Sequence, residues 1–319
     1  MTAPAPQRWL DLHVHVAPPV GQEEDVPTFV GDLLKVLDDD PAALGLVISP
    51  DAQWNRVVRD TPGGMERAAR FIRDVARRAP ERLYPSCLVN PNYLDDALRT
   101  MDRCFGEWGF VMLGEMLGYM LGFDLDNEAG ERIVRKAVDF GVPVQVHIST
   151  SNAAVQGHTS GMGELADLIG IATRVPEAQY ILAHFIGTAQ ADPPPVAQYL
   201  DVIEGHFGAW PRNFWAEIRD FNSPGLPEAL SRIPHDRLVC GTDWTTRRGP
   251  PYAPYGVVFD VFITGQPTPY PPSTTALLGF LREQGLSAST IDDIAFRNAT
   301  RLLKLGTDAT EVASSTSTT

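Results

Sequence analysis

The chain has 319 residues, 44% hydrophobic and 21% charged, enough to bury a large core without disulfides or a structural metal. Its 26 Lys+Arg against 40 Asp+Glu give a net charge of −14. Such a surface repels nucleic-acid phosphates and anionic lipid, so the expected partner is a small-molecule substrate, with no nucleic acid and no membrane.

Residues 1–8 are expected to be a flexible N-terminus. Trp9–Val16 then alternates as a strand, and His13 and His15, two residues apart, share one of its faces. Leu44–Ser49 is the second candidate strand. Met65–Ala79 follows as a helix, with Met65, Ala68, Ala69, Ile72, Val75, Ala76 and Ala79 on one face. Leu83–Val89 and Gly109–Glu115 are the third and fourth strands. The spacing predicts a helix over Glu128–Phe140, stopped at Gly141. Strands at Val142–Ile148, Gln179–His184, Asn213–Ile218 and Arg237–Asp243 complete a set of eight. Arg247–Ser273 is a long loop rich in Pro, Gly and Tyr, expected to be a lid or binding element. A last helix spans Ile291–Leu305 and ends at Gly306. The polar, low-complexity stretch 307–319 is expected to be a disordered tail.

Eight strands alternating with helices call for a parallel sheet, because parallel connections need crossovers. The fold class is α/β, a single (β/α)8 TIM-type barrel over residues 9–306. An open doubly wound sheet is weakened by the lack of a GxGxxG turn after the first strand. Cys87, Cys104 and Cys240 are widely spaced, without a CxxC pair, and fit free thiols in a reducing compartment. No apolar run reaches the length of a membrane span, and Met1–Gln7 lacks the pattern of a signal peptide. A cytoplasmic protein is the expectation, with a homodimer as the commonest assembly of soluble enzymes.

Polar residues mark the ends of these strands: His13 and His15 on the first, Glu115 on the fourth, His147 on the fifth, His184 on the sixth and Asp243 on the eighth. In a barrel all strand C-termini meet on one face, where active sites lie. Four of the seven histidines fall there; His158, His206 and His235 do not. Two imidazoles on one strand face are natural ligands for a divalent metal. A core histidine and a helix-capping Asp are the bland readings of each residue alone.

This order of HxH, Glu, His, His and Asp resembles the amidohydrolase superfamily of metal-dependent barrel enzymes, in its amidohydrolase-related branch. The resemblance is carried by Asp11-Leu12-His13-Val14-His15, Val146-His147-Ile148-Ser149, Leu182-Ala183-His184, Gly241-Thr242-Asp243-Trp244 and the closing helix Ile294–Leu303. It implies that His13, His15, His147 and Asp243 bind a divalent metal, with Zn²⁺ favoured over Mn²⁺ and Fe²⁺ for these ligands. It implies further that Asp243 accepts a proton from a water whose pKa the metal lowers to ~7, and that His184 orients that water or polarises the substrate. Glu115 is expected to join the first metal or to bridge a second. No lysine ends the fourth strand, so a carbamylated-lysine bridge is not expected. The activity implied is hydrolysis of an ester, lactone or amide. The alternatives are decarboxylation of an aromatic or unsaturated acid and metal binding without turnover. Trp54, Arg219, Asn222, Trp244, Arg247 and Tyr252 are candidate substrate contacts, with ordinary loop packing equally open for each.

Overall fold

The computed structural model describes residues 8–17, 26–40, 42–61, 63–148, 161–187, 195–221, 223–245 and 274–306. The expected loop 247–273, the tail from 307, and Asn222, Arg247 and Tyr252 lie outside them.

The strands are β1 (Trp9–Val16), β2 (Ala43–Pro50), β3 (Leu83–Cys87), β4 (Met112–Met116), β5 (Val144–His147), β6 (Tyr180–Ile186), β7 (Phe214–Ile218), β8 (Leu238–Cys240) and β9 (Trp244–Thr245). All pair in parallel, in the order β8-β7-β6-β5-β4-β3-β2-β1-β9. β9 continues the direction of β8 after Gly241–Asp243 and pairs Val14 with Trp244 and His15 with Thr245. One broken strand thus joins β7 on one side to β1 on the other, and the sheet closes into a (β/α)8 barrel. Helices such as Gly64–Ala76, Leu94–Gly106, Glu128–Phe140 and Gly161–Arg174 alternate with the strands. Among the described residues, no helix is long and apolar enough to cross a membrane.

Glu128–Phe140 forms over the expected residues. Asn127 accepts the N–H of Gly130 at 2.9 Å as N-cap, and Gly141 ends the helix in the left-handed conformation (φ 67°) that glycine adopts without penalty. The last expected helix is different. Residues 291–305 do not form one continuous α-helix: Ala288–Asp292 is α-helical, Asp293–Arg297 is a π-helical turn, and Asn298–Leu302 is α-helical again. The wider turn separates Ala295, which packs in the outer core, from Phe296, which packs in the inner one. Asn298 donates to the carbonyls of His235 and Leu238 at 2.8 Å each, fastening the segment to the start of β8.

Two cores result. Val14, Val16, Ile48, Leu113, Met116 and Val144 face outward toward the helices. Leu10, Leu12, Val47, Met112, Ile181, Trp215 and Val239 fill the lower barrel, and Phe296, Ala299, Leu302 and Leu303 plug its base.

Candidate metal centre

Above that apolar layer the strand registers slip. Asp11 pairs with Leu46 but Val14 with Ile48, so β1 spends three residues where β2 spends two. Leu113 pairs with Val144 and Met116 with Val146, the same one-residue excess on β4. Leu182 pairs with Ala216 and Ile186 with Ile218, four residues of β6 against two of β7. The bulges fall at His13, Glu115 and His184. A bulge breaks strict alternation and re-aims a side chain. On β1 it lets Leu12 face the lower core while the histidines still point inward and Val14 points out. On β4 the bulge needs glycine at 114: φ is 135°, and a Cβ there would lie 2.5 Å from the Gln145 carbonyl oxygen. His184 (φ 38°) and Asp243 (φ 55°) also take left-handed conformations, which cost a non-glycine residue about 1–3 kcal/mol. Each is held from outside. The His184 N–H donates to Glu217 Oε1 at 2.8 Å. Thr242, just before Asp243, donates to Asp11 through its N–H (3.0 Å) and hydroxyl (2.7 Å).

Six buried side chains converge. His13 Nε2 and His15 Nε2 are 3.0 Å apart. Glu115 Oε2 lies 3.3 and 3.2 Å from them, and Asp243 Oδ1 lies 3.6 and 3.3 Å away. On the other side, Glu115 Oε1 lies 2.8 Å from His147 Nδ1 and 3.1 Å from His184 Nε2. Glu115 therefore belongs to two groups, His13–His15–Glu115–Asp243 and Glu115–His147–His184. His147, expected from the resemblance to share a metal with His13, His15 and Asp243, lies beside Glu115 Oε1 and His184 Nε2, at 2.8 and 3.0 Å.

The outer partners decide which nitrogens face the centre. His13 Nδ1 donates to Glu217 Oε1 at 2.8 Å, and His15 Nδ1 lies 3.0 Å from the Pro50 carbonyl oxygen. Glu217 also accepts from Gln145 Nε2 at 2.8 Å. With Nδ1 acting as donor, the Nε2 atoms of His13 and His15 turn lone pairs toward each other and toward carboxylate oxygens. Acceptors this crowded and this buried need positive charge among them. The donor set fits a divalent cation in each group, since imidazole nitrogen and carboxylate oxygen are ordinary ligands of such ions.

Without a cation, protons take that place. Burial opposes charge on His15, but hydrogen bonds to Asp243 and Glu115 outweigh it and push its pKa up to about 10. His13 is raised well above the usual imidazole range, with burial overcome by the charges of Glu217, Glu115 and Asp243. Burial would raise Asp243, yet the neighbouring histidines hold it down at about 2. Glu115 is likewise lowered, its burial outweighed by His13 and His147. Asp11 is outside this balance: burial lifts it to about 6 despite the donors from Thr242 and His13.

The sequence matches the amidohydrolase family (amidohydrolase 2) over residues 10–305. The chain belongs to the amidohydrolase family. A comparison with the curated proteins gives no match. Among solved structures it is similar to 5-carboxyvanillate decarboxylase from Novosphingobium aromaticivorans, complexed with manganese and 4-hydroxy-3-methoxy-5-nitrobenzoic acid. That likeness has a TM-score of 0.65 at 15% identity, covering 94% of this chain and 96% of that one. It is also similar to 2,6-dihydroxybenzoate decarboxylase from Rhizobium (TM-score 0.62, 16% identity, covering 94% and 99%). A third likeness is to 4-oxalomesaconate hydratase from Rhodopseudomonas palustris (TM-score 0.62, 16% identity, covering 96% and 97%). At these identities the likeness is one of fold. Family and fold make the chain an amidohydrolase-superfamily enzyme, and the buried His, Glu and Asp cluster suits a divalent metal.

The remaining candidates of this family member divide. Arg219 is buried beside the centre, with Nη2 2.7 Å from Asp220 Oδ2 and Nη1 3.5 Å from Asp243 Oδ2. Trp244 lies on β9, its N–H donating to Thr242 Oγ1 at 3.3 Å. Trp54 packs its ring against Phe71. Four residues that sequence reasoning passed over contact the site: Glu217, Gln145, Tyr119 and Glu164. Gln145 and Glu217 carried a signal, each being a polar residue within an apolar strand. Tyr119 (ring centroid 4.5 Å from that of His147) and Glu164 (3.9 Å from His147 Nε2) carried none, because they sit on helices whose position depends on the fold.

Proposed function

We propose that the protein is a metal-dependent hydrolase acting on a small-molecule ester, lactone or amide. The observation that carries this reading is Glu115, whose two carboxylate oxygens each face a different histidine pair. In this reading His13, His15, Asp243 and Glu115 hold one divalent cation, and Glu115, His147 and His184 hold a second. Zinc is the ion we assign, from the imidazole-rich donors. When bound, a cation pair lowers the pKa of water to ~7 and polarises an electrophilic carbonyl.

The protein's own part follows from its contacts. Asp243 is ionised and buried, and accepts the proton of the attacking water. Arg219, 3.5 Å from Asp243 Oδ2, steadies the carboxylate from the side away from the histidines. The same carboxyl returns the proton to the leaving alcohol or amine. Glu217 keeps the His13 ring in place and fixes the backbone of His184. His184, first expected to act on water or substrate, is assigned here as a ligand because its Nε2 faces Glu115. We also read the enzyme as cytoplasmic, on its three free cysteines, and without nucleic-acid partners, on its acidic charge.

Decarboxylation is the rival, and a lone metal ion beside a positively charged pocket for the substrate carboxylate would favour it. The buried arginine nearest Asp243 among the described residues, Arg219, is already engaged by Asp220 and Asp243. The test screens esters, lactones and amides beside aromatic carboxylic acids, following hydrolysis and released carbon dioxide in parallel, with metal per chain measured on the same samples. Two ions per chain with hydrolysis is the expected result. Carbon dioxide release without hydrolysis, unaffected by Glu115→Gln, overturns it.

A further inference from the structure

Between the apolar lower layer and the metal centre lies a thin polar layer. A barrel interior is filled in layers drawn from alternate strands, and here Ser86 of β3, Gln145 of β5 and Glu217 of β7 are polar and fully buried. Ser86 Oγ donates to the Gly114 carbonyl oxygen at 2.6 Å, just before Glu115. Glu217 accepts hydrogen bonds from β1, β5 and β6. Its Oε1 takes His13 Nδ1 and the His184 N–H, and its Oε2 takes Gln145 Nε2, each at 2.8 Å.

Gln145 touches both sides of this layer. It reaches across β6 to Glu217, since β6 pairs with β5 on one edge and β7 on the other. It also lies against Gly114, where a Cβ would come within 2.8 Å of the Gln145 Cβ. The bulge that aims Glu115 is therefore seated on the residue that holds Glu217. Val144 and Val146 pack outward, so Gln145 shares the inner face of β5 with His147.

The amide is oriented by its partner. An accepting carboxylate oxygen is met only by the NH₂ end, and this leaves Gln145 Oε1 buried with no partner among the described residues. An orphaned buried acceptor is destabilising. What the amide supplies in return is a donor to Glu217, and a residue that costs stability at the floor of a site points to a functional constraint. The last torsion of a glutamate is broad. Two donors on Oε1 leave the carboxylate plane free to swing, and the third, on Oε2, fixes it.

We propose that Gln145 is a positioning residue of the metal centre. By fixing the Glu217 carboxylate it holds the His13 ring and the His184 backbone in the geometry that takes up a cation. An imidazole that donates through Nδ1 aims its Nε2 only as well as its acceptor is placed. The inference rests on the assignment of His13, Glu115 and His184 as metal ligands, and is independent of which bond the enzyme breaks.

The test is a double-mutant cycle on the zinc-loaded full chain, with zinc withdrawn by a competing chelator. Gln145→Met nearly keeps the length and volume of the side chain but cannot donate. It should weaken zinc binding about tenfold. In a Glu217→Leu background, where no carboxylate is left to position, the same change should cost less than about threefold. A second measurement does not depend on Glu217→Leu folding. Cobalt-loaded wild type and Gln145→Met are compared by visible absorption, which reports ligand geometry, and the bands should shift. Unchanged zinc affinity or an unchanged cobalt spectrum in Gln145→Met overturns the proposal, as does a loss of the same size in the Glu217→Leu background. A lower melting temperature with affinity and spectrum intact overturns it too, and makes Gln145 a packing residue. Wild type that retains no zinc overturns the ligand assignment itself, a failure distinct from these.

Discussion

The lower and upper halves of this barrel are built from the same strands by opposite rules. Below, Leu10, Leu12, Met112, Ile181, Trp215 and Val239 pack a dry layer closed by Phe296 and Leu302. Above, the same β1, β4 and β6 bulge at His13, Glu115 and His184, and β8 breaks at Asp243 in a left-handed conformation. Regular pairing and apolar contact make the lower half a source of stability. The upper half stores strain, buried charge and crowded acceptors, all of which oppose folding until a cation or protons are present. Function sits where the rules of the sheet are broken, supported by a half where they are kept.

If the halves are separable in this way, substitutions in each should give opposite phenotypes. The largest expected effect belongs to Glu115→Ala, which removes the carboxylate shared by both histidine pairs. Turnover should fall by on the order of a thousandfold or more, with bound metal reduced and secondary structure kept. Elemental analysis, activity and a melting curve on one preparation check this, and full metal content would break the comparison. Leu12→Ala, one residue away from His13 but in the lower layer, should do the reverse. Its unfolding free energy should drop by about 2–5 kcal/mol, measured by denaturant titration, while metal stoichiometry holds.

Glu217→Gln sharpens the boundary between the halves. It keeps the shape of the side chain but removes the charge that His13 Nδ1 and the His184 N–H donate to. Metal affinity should weaken about 10–100-fold, read by competition with a chelator, with secondary structure unchanged. The smallest expected effect is that of Thr242→Val. Losing the hydroxyl that donates to Asp11 at 2.7 Å should cost about 1–3 kcal/mol. Because that bond also holds the turn before Asp243, kcat should fall in the variant even well below its melting temperature. Unchanged kcat would show that the turn keeps its shape without Asp11.

Much of this was legible before folding. The alternation of Trp9–Val16, the helix from Glu128 to its stop at Gly141, and the polar residue ending most strands are local features, set by periods of 2 and 3.6 and by glycine's freedom at positive φ. The convergence of His13, Glu115, His147, His184 and Asp243 followed from the barrel rule alone. The broken closing helix was not legible, because apolar spacing over Ile291–Leu305 cannot tell a continuous α-helix from one that widens at Asp293–Arg297 to serve two cores.

By itself, then, the sequence determined the fold class, the family and the residues that gather at the barrel mouth, since each depends on local pattern and chain order. Only the tertiary structure decided how those residues divide. That Glu115 faces both histidine pairs and that Glu217 stands behind His13 and His184 depend on bulge positions and strand register. Register is fixed by contacts between segments far apart in the chain, and no periodicity within one segment carries that information.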